Sequence, residues 1–399
     1  MPGQFKHLAP LLAARPENRV VFLTRRDNIE LPGVVRATYA EPADAGERTH
    51  QYVKRYEAAV RYGQQVVRGI TSLRQKGFEP DLIIAHPGWG ESLFLKDVCP
   101  GVPVINFCEF YYEGRGLDVG FDPEDPSGID DICRARARTA HLLSSLESCD
   151  IGVAPTQWQK SVHPAALRDR IEVIFDGIDT DVVKPLADAS FTLPGGRTIR
   201  RGDRVVTYVA RNLEPYRGFR PFMRAIPMLQ RLQPDAEIVI VGGDEVSYGK
   251  KPRGFANWRE AMQAEVAFDP ARVHFTGRIP YDQYLRLLSV SDVHVYLTYP
   301  FVLSWSCVET MAAGGLVIGS DTPPVREVIE HGVNGLLVNF FDSAGIAAQI
   351  SEVLDNPDQY APLRAAARRT VEERYALKHC LPKWLDLVER TLAMDRARG

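Results

Sequence analysis

Short runs rich in valine and isoleucine recur along the whole chain, and most of them are separated by segments long enough for a helix. The runs are RVVFLT, DLIIAH, VPVINF, IEVIFDG, RVVTYVA, AEIVIVGG, RVHFTG, VHVYLTY and GLVIGS. Apolar strands that alternate with helices are typical of parallel sheets covered by helices. The chain is therefore predicted to be an α/β protein.

The weakest patterning lies near the middle of the chain. Residues 181–203 combine proline, glycine and charge without an apolar period. Because 399 residues favour more than one domain, we predict that this stretch is a linker. It would separate a domain of residues 1–180 from one of residues 204–365, with terminal helices over 366–399.

The beginning of the chain lacks an expected element. A doubly wound domain normally opens with a central strand. Here MPGQFKHLAPLLAARPENRVVFLT predicts a glycine-containing loop, a helix and then a strand. In a sheet of order 3-2-1-4-5 the missing strand would be the middle one. We expect either that Met1 lies inside a longer reading frame or that the first sheet is unusually assembled.

Charge and cysteine content exclude several classes of protein. A net charge of −3 argues against a nucleic-acid-binding protein, which normally has a strongly basic domain. The 6 cysteines lack C-x-x-C spacing, so neither zinc nor a disulfide framework is indicated. No apolar run has the length of a membrane span, and no signal-peptide pattern opens the sequence. We predict a cytoplasmic protein without a metal site, and leave open peripheral contact with the inner face of a membrane.

Two arginines follow the strand RVVTYVA, in the segment RNLEPYRGF. Arg211 and Arg217 would lie at the carboxyl end of that strand, where open α/β sheets bind ligands. Guanidinium groups suit a diphosphate because each makes bidentate, charge-assisted hydrogen bonds. The alternative is a pair of surface arginines near a helix start, where the helix dipole disfavours cations. Their position favours an anion site.

A second candidate lies in the segment TYPFVLSWSCVETMAAGG. Amide groups of Leu303, Ser304 and Trp305 are predicted to face an anion at the start of a short helix. Glu309 would follow about one turn later and could accept hydrogen bonds from both hydroxyls of a ribose. The alternative is a carboxylate that stabilises the first turn of the helix, and spacing alone does not decide between the two roles.

Several of these segments together resemble a known family. ARNLEPYRGF, EIVIVGGDEVSYG, VHFTGRIPYDQY and FVLSWSCVETMAAGGLVIGSDTPPVREVIEHGVNGLLV resemble the donor half of glycosyltransferase family 4. VIFDGIDTDVVKP resembles the exit turn between the two domains of that family, and DLIIAHPGWGES its acceptor-half loop with a histidine. The resemblance implies the GT-B fold, in which two Rossmann-like doubly wound domains face each other across a cleft. A last helix, anchored by Trp384 and Leu385, would cross back to the first domain.

The resemblance also implies roles for single residues on the donor side. Arg211 and Arg217 would hold the donor diphosphate, and Glu309 would bind the ribose. The backbone near Arg278 and Ile279 would meet the nucleobase.

Further implied residues lie around the phosphates and the donor sugar. Gly3 would face the phosphates from the other domain, and His86 would lie beside the sugar. This sequence departs from the family at two places. Phe301 stands where a sugar-contacting glutamate is usual, and Ser304 stands where a glycine is frequent.

The acceptor is expected to meet loops of the first half. The candidates are aromatic faces for sugar rings and carboxylates for hydroxyl groups, namely Trp89, Glu91, Glu109, Tyr111 and Tyr112. Ordinary loop packing is the alternative for the three aromatic residues.

The predicted reaction is the retaining transfer of a sugar from a nucleoside-diphosphate sugar, such as a UDP or GDP sugar, to a hydroxyl of a saccharide or glycolipid. No cofactor and no metal is expected. Three alternatives stay open: a nucleotide-sugar epimerase, a phosphorylase, or a non-catalytic homologue that binds sugar nucleotides. The sequence names neither the sugar nor the acceptor.

Overall fold

A computed structural model describes residues 3–396 and divides the chain into two compact units. The N-terminal unit comprises Met1–Gly177 together with Lys378–Gly399, and the C-terminal unit comprises Ile178–Leu377. The described strands are β1 (Val21–Thr24), β2 (Val35–Thr38), β3 (Ile83–Ala85), β4 (Val104–Phe107), β5 (Ile151–Ala154), β6 (Ile171–Val173), β7 (Ser190–Thr192), β8 (Thr198–Arg200), β9 (Val205–Asn212), β10 (Glu237–Gly243), β11 (Val273–Gly277), β12 (Val293–Tyr296), β13 (Val317–Ser320) and β14 (Leu336–Val338).

The described helices alternate with most of these strands. They are α1 (Leu8–Ala13), α2 (Lys54–Gln75), α3 (Leu95–Val98), α4 (Ile129–Arg138), α5 (Ala140–Ser148), α6 (Gln157–Ser161), α7 (Phe219–Leu232), α8 (Trp258–Glu265), α9 (Tyr281–Val290), α10 (Trp305–Ala312), α11 (Pro323–Arg326), α12 (Ser343–Asp355), α13 (Ala361–Arg374) and α14 (Leu377–Arg396). None of them combines the length and the apolarity needed to cross a membrane.

The sheet of the N-terminal unit is split in two. Strands β3, β4, β5 and β6 form a parallel sheet in that order, and Ile105 of β4 lies opposite Ile84 on one side and Ile151 on the other. Strands β1 and β2 form a separate parallel pair. Among residues 3–396, no strand precedes β1. This is the arrangement expected of a 3-2-1-4-5 sheet whose middle strand is absent from the described residues.

The C-terminal unit is a six-stranded parallel sheet of order β11-β10-β9-β12-β13-β14. Val206 of β9 lies opposite Ile238 of β10 and Val293 of β12, and all three side chains are fully buried. The chain runs outward from β9 through β10 to β11, and then returns to place β12 on the other side of β9. The switch point of this doubly wound sheet therefore lies between β9 and β12, where such sheets bind ligands.

The stretch predicted as a linker, residues 181–203, contains an antiparallel hairpin. β7 and β8 pair through Phe191 and Ile199, whose side chains are buried against Val205, Leu287 and Val290. The two strands read SFT and TIR, each with a single apolar residue between polar ones, so no apolar run shows in the sequence. The hairpin thus belongs to the core of the C-terminal unit.

The last helix contributes to the core of the N-terminal unit. From Lys378 onward α14 is part of that unit, and Trp384 packs against Phe107 and Phe5 with ring centroids 6.5 and 6.3 Å apart. Leu387 is fully buried in the same cluster, whereas Leu385 is only half-buried.

Candidate functional site

The main candidate site lies in the C-terminal unit, at the carboxyl ends of β9 and β12. A short 3-10 turn, Pro215–Arg217, follows β9 and ends at Gly218 with a φ of 70°. A Cβ added to Gly218 would lie 2.2 Å from Cβ of Leu297. Only glycine therefore fits between this turn and the end of β12, and the turn presents Arg217 toward the residues that follow β12.

Arg217 is a buried cation, with a relative exposure of 8%. Its Nη1 donates to the hydroxyl of Thr298 and to the carbonyl of Val302, both at 2.9 Å, and to the hydroxyl of Tyr296 at 3.3 Å. The described hydrogen bonds of this guanidinium all go to neutral oxygens. The charge of the buried Glu214 acts on this guanidinium and raises its pKa, although the described hydrogen bonds of Glu214 go to backbone N–H groups. A buried cation whose hydrogen bonds go to neutral oxygens is suited to bind an anion.

The charge of Arg217 persists despite its burial. Burial lowers the pKa of the guanidinium, but the hydroxyl groups of Tyr296 and Tyr248 raise that pKa above its ordinary value. Arg211, in contrast, is exposed at the end of β9, and no hydrogen bond or ion pair joins it to Arg217 among the described contacts. The two predicted diphosphate ligands therefore differ sharply: one is fixed in the protein and the other faces solvent.

Glu214 organises the loop beside Arg217. This carboxylate is 1% exposed and accepts hydrogen bonds from the backbone N–H groups of Ser247, Tyr248 and Gly249, at 3.3, 3.0 and 3.0 Å. The loop is thereby fixed so that the ring of Tyr248 lies 5.5 Å from the guanidinium carbon of Arg217. Sequence reasoning missed Glu214 and Tyr248, although Glu214 stands inside the segment RNLEPYRGF.

The start of α10 differs in one respect from the prediction. Ser304 is its N-cap residue, but its backbone N–H donates to the hydroxyl of Tyr296 at 2.6 Å. In this structure Tyr296 accepts the hydrogen of the Ser304 amide, so that an anion here would have to take the place of the tyrosine hydroxyl. That this amide faces an anion stays a prediction. The same hydroxyl also accepts from Arg217, so Tyr296 links the buried cation to the amino end of α10.

Glu309 lies in the interior of α10 with a relative exposure of 6%. Its Oε1 accepts from the hydroxyl of Tyr281 at 2.7 Å and its Oε2 from the hydroxyl of Tyr284 at 2.9 Å. Both tyrosines belong to α9. The described hydrogen bonds of the carboxylate therefore reach another helix, and none of them goes to an amide in the first turn of α10.

Phe301 is enclosed by other aromatic rings and is only 2% exposed. Its ring centroid lies 4.8 Å from that of Tyr248 and 5.4 Å from that of Tyr216, in both cases edge to face. Phe301 thus fills an aromatic cluster where the resembling family carries a sugar-contacting glutamate.

The predicted nucleobase residues follow β11. Arg278 donates to Oδ1 of Asn212 at 2.9 Å and pairs with Glu245, so its side chain joins the ends of neighbouring strands. Ile279 is half-buried and packs against the cluster that contains the β7–β8 hairpin.

A second cluster, in the N-terminal unit, is centred on His86. Nδ1 of His86 accepts from the backbone N–H of Gly88 at 3.1 Å, and Nε2 lies 3.4 Å from Oε2 of Glu109. A neutral imidazole that accepts at Nδ1 carries its proton on Nε2, and this buried nitrogen has no hydrogen-bond partner among the described residues. Burial lowers the pKa of His86, but Glu109, Glu91 and Asp176 outweigh it, so that the pKa is raised above its ordinary value.

The remaining predicted residues of the N-terminal unit are divided between this cluster and its surroundings. Glu91 accepts from the backbone N–H of Trp89 at 3.2 Å and from the hydroxyl of Tyr39 at 3.3 Å, and burial raises its pKa. Trp89 itself is 57% exposed. Gly3 begins a 3-10 turn whose next residue, Gln4, donates to Glu109 at 3.2 Å. Gly3 therefore lies in a turn that contacts the His86 cluster.

The two tyrosines that follow β4 contact different neighbours. The ring of Tyr111 lies 5.9 Å from that of His163, whereas the ring of Tyr112 is covered by the guanidinium of Arg138 at 3.7 Å. Both side chains are half-buried. These contacts are ordinary loop packing for Tyr111, and a cation–π contact with Arg138 for Tyr112.

The structure thus gathers Arg217, Phe301, Ser304 and Glu309 around α10, and His86, Glu91, Glu109 and Gly3 around the loop after β3. It leaves Arg211 and Trp89 exposed. Among residues 3–396, no group of three or more histidine, cysteine, aspartate or glutamate side chains could hold a metal ion.

Comparison with protein families yields one match for each half of the chain. Residues 16–183 match the model described as Glycosyl transferase family 4 group, and residues 194–370 match the model described as Glycosyl transferases group 1. The two matched segments overlap largely with the N-terminal and the C-terminal unit, respectively.

Curated relatives are similar over part of their length. A glycogen synthase of Mycobacterium tuberculosis is 28% identical over 51% of this chain and 47% of its own. A D-inositol 3-phosphate glycosyltransferase of Mycolicibacterium smegmatis is 27% identical over 60% of this chain and 51% of its own. The chain thus spans about half the length of the curated relatives that it matches.

Solved structures are similar over nearly the whole chain. HepE of Anabaena, in complex with UDP and glucose, superposes with a TM-score of 0.69 at 16% identity, over 98% of this chain and 96% of HepE. Sucrose-phosphate synthase of Thermosynechococcus elongatus superposes with a TM-score of 0.71 at 19% identity, over 97% of this chain and 92% of its own. At such identities the likeness concerns the fold.

Proposed function

We propose that this chain, which has the GT-B fold of the glycosyltransferases, transfers a sugar from a nucleoside-diphosphate sugar to a hydroxyl of a saccharide or glycolipid acceptor. The observation that carries the proposal is the buried charge of Arg217 at the switch point between β9 and β12. A diphosphate would supply negatively charged acceptors, whereas the described hydrogen-bond partners of Arg217 are neutral.

The spacing along α10 suits a nucleoside diphosphate. Tyr296 ties Arg217 to the backbone of Ser304, and Glu309 follows five residues later on the same helix. At a rise of about 1.5 Å per residue, the two points are roughly 7 Å apart along the helix axis. A diphosphate bound at Arg217 would thus place its ribose within reach of the Glu309 carboxylate, which can accept from two vicinal hydroxyls.

The chemical step releases a nucleoside diphosphate, so negative charge grows on the leaving group. Arg217 is held by its partners before the reaction begins, and such a preorganised cation lowers the barrier by about 3 kcal/mol. Arg211 would add a second cation from the solvent side. We propose retention at the anomeric carbon by a front-face reaction, in which a phosphate oxygen of the donor accepts the proton of the acceptor hydroxyl.

His86 is suited to donate a hydrogen bond, and not to act as a base from Nε2. Its Nδ1 accepts the N–H of Gly88, and its Nε2, 3.4 Å from Oε2 of Glu109, makes no hydrogen bond among the described residues. In this proposal Nε2–H of His86 binds a sugar oxygen, with Glu109 fixing the ring orientation. The exposed face of Trp89 would pack against a ring of the acceptor.

No metal or cofactor is part of this proposal, because the arginines provide the charge that the leaving group needs. A cytoplasmic location is proposed with it. For a glycolipid acceptor, the protein would contact the membrane peripherally.

The first test is calorimetric titration with UDP, GDP, ADP and their common sugar conjugates, with Glu309→Ala and Arg211→Ala as variants. UDP is the first choice because HepE was solved with UDP and UDP-glucose. Selective binding that both substitutions weaken would support the donor site. Transfer to oligosaccharide acceptors, followed by NMR of the anomeric proton, would then test retention.

A non-catalytic homologue is the second candidate, favoured by one observation. Phe301 is buried among tyrosines where the resembling family carries a glutamate for the sugar. Nucleotide binding without transfer to any acceptor, and without hydrolysis of the donor, would support this candidate. Turnover with any acceptor would exclude it.

A further inference from the structure

Two tyrosines on α9 together hold the carboxylate of Glu309. Tyr281 and Tyr284 are three residues apart, so their side chains share one face of the helix. Their hydroxyls donate to different oxygens of Glu309, at 2.7 and 2.9 Å, and their ring centroids are 5.7 Å apart. The carboxylate is thus held at both ends by groups from one helix.

This arrangement leaves acceptor capacity on both oxygens of Glu309. Each oxygen of an ionised carboxylate accepts from two directions, and each tyrosine occupies one of them. Tyr284 is buried, whereas Tyr281 is 47% exposed, so the outer side of the pair is open to solvent. Burial and the Glu309 charge raise the pKa of both tyrosines, so they remain protonated donors at neutral pH.

We propose that Tyr281 and Tyr284 are positioning residues that orient Glu309 toward the two hydroxyls of a ribose, and that the C-terminal unit thereby selects ribonucleotides over 2′-deoxyribonucleotides. The inference rests on the proposed function, since it needs a nucleoside diphosphate bound along α10. It adds to that function a specificity that depends on α9. A carboxylate free to rotate would lose part of this selectivity, because a cis-diol demands both oxygens at fixed positions.

The test compares ribose with deoxyribose in wild type and three variants. Calorimetry gives the affinity of wild type, Tyr281→Phe, Tyr284→Phe and Glu309→Ala for UDP, GDP and ADP and for their 2′-deoxy counterparts. A deoxyribonucleotide lacks one of the two hydroxyls that would donate to the Glu309 carboxylate. Because hydrogen bonds to a charged group are strong, wild type should prefer the ribonucleotide about 10-fold or more. Each phenylalanine variant should weaken ribonucleotide binding about threefold to tenfold, with a smaller effect on the deoxyribonucleotide. Glu309→Ala should abolish the preference.

Tyr360→Phe is the matched control. The hydroxyl of Tyr360 donates to Oε1 of Glu352 at 2.7 Å in the same unit, so this variant removes the same kind of bond away from α10. It should leave the preference for ribose unchanged. Thermal unfolding of each variant checks that the protein is folded.

Other outcomes separate this inference from the proposed function. A wild type that binds ribo- and deoxyribonucleotides equally, or tyrosine variants that weaken both to the same extent, would overturn the positioning role while the transferase proposal stands. Absence of binding to UDP, GDP and ADP alike would overturn the proposed function, and the inference with it.

Discussion

Arg217 is nearly as buried as a core leucine, which is rare for an arginine. Its three neutral hydrogen-bond partners come from the ends of strands and loops around the switch point. In the proposed function this side chain would therefore serve stability and ligand binding together. Arg211, six residues earlier, is exposed and can serve binding alone.

This difference predicts two distinct mutant phenotypes. We expect Arg211→Ala to lower kcat/KM by less than about 100-fold, the loss typical of a preorganised donor, because this side chain faces solvent, and to leave the free energy of unfolding unchanged. Arg217→Ala should lower both quantities, because it also leaves Thr298 and Val302 without their donor. Steady-state kinetics and urea unfolding measure the two effects. An Arg211→Ala variant with wild-type kinetics would argue against a diphosphate role.

His86 predicts a pH dependence. Its pKa is raised in the folded protein, chiefly by Glu109 acting against burial. The charged form is thus favoured by folding, and its contribution to stability is complete below the unfolded pKa of about 6.5. That contribution is lost as the pH rises through the higher folded pKa.

Urea unfolding of wild type and His86→Gln between pH 5.5 and 8.5 measures this effect. The difference in unfolding free energy between the two proteins should shrink as the pH rises. A constant difference would show that Glu109 does not stabilise the charged imidazole.

At the scale of elements, the β7–β8 hairpin stabilises the C-terminal unit in a way that a linker would not. Ile199 is fully buried in the cluster with Val205 and Leu287. Ile199→Ala should lower the free energy of unfolding by about 3 kcal/mol. Thr198→Ala, on the exposed side of β8, should change it by less than about 0.5 kcal/mol. If both substitutions had equally small effects on the free energy of unfolding, residues 181–203 would behave as a linker.

The strands that sequence reasoning found are those with long apolar runs. Each quoted run contains a strand, whereas β5, which reads IGVA, and the exposed strand β2 gave no comparable signal. Short strands such as β7 and β8 depend on contacts with distant residues, which periodicity does not record.

The candidate site was also predictable only in part, since the sequence indicates single residues but not the contacts between them. Glu309 stands in an apolar helix, and that contrast marked it in the sequence. Its partners were missed because a hydrogen bond between α9 and α10 depends on how the helices pack. The spacing of Tyr281 and Tyr284 indicates a shared helix face but not what that face contacts. Likewise, the segment RNLEPYRGF marked Arg217 while leaving its burial unseen.

At the scale of the whole molecule, the proposed function takes the charge for the leaving group from arginine side chains. We therefore expect transfer to be independent of divalent metal. Dialysis against EDTA should leave kcat within twofold of its starting value, and added Mg²⁺ should have little effect. Loss of activity in EDTA with recovery on adding Mg²⁺ would contradict this expectation. The Arg211→Ala variant serves as a low-activity reference in the same assay.

The return of α14 to the N-terminal unit affects the order in which the protein matures during translation. Residues 178–377 are synthesised before Trp384. Phe107, which is synthesised earlier still, cannot make its contact with Trp384 until α14 has been synthesised. At about 5–20 residues per second, the delay between the end of the first segment and the synthesis of α14 is roughly 10–40 s. During that interval Phe107 lacks the packing of Trp384, so the first-synthesised unit is the last to complete its core.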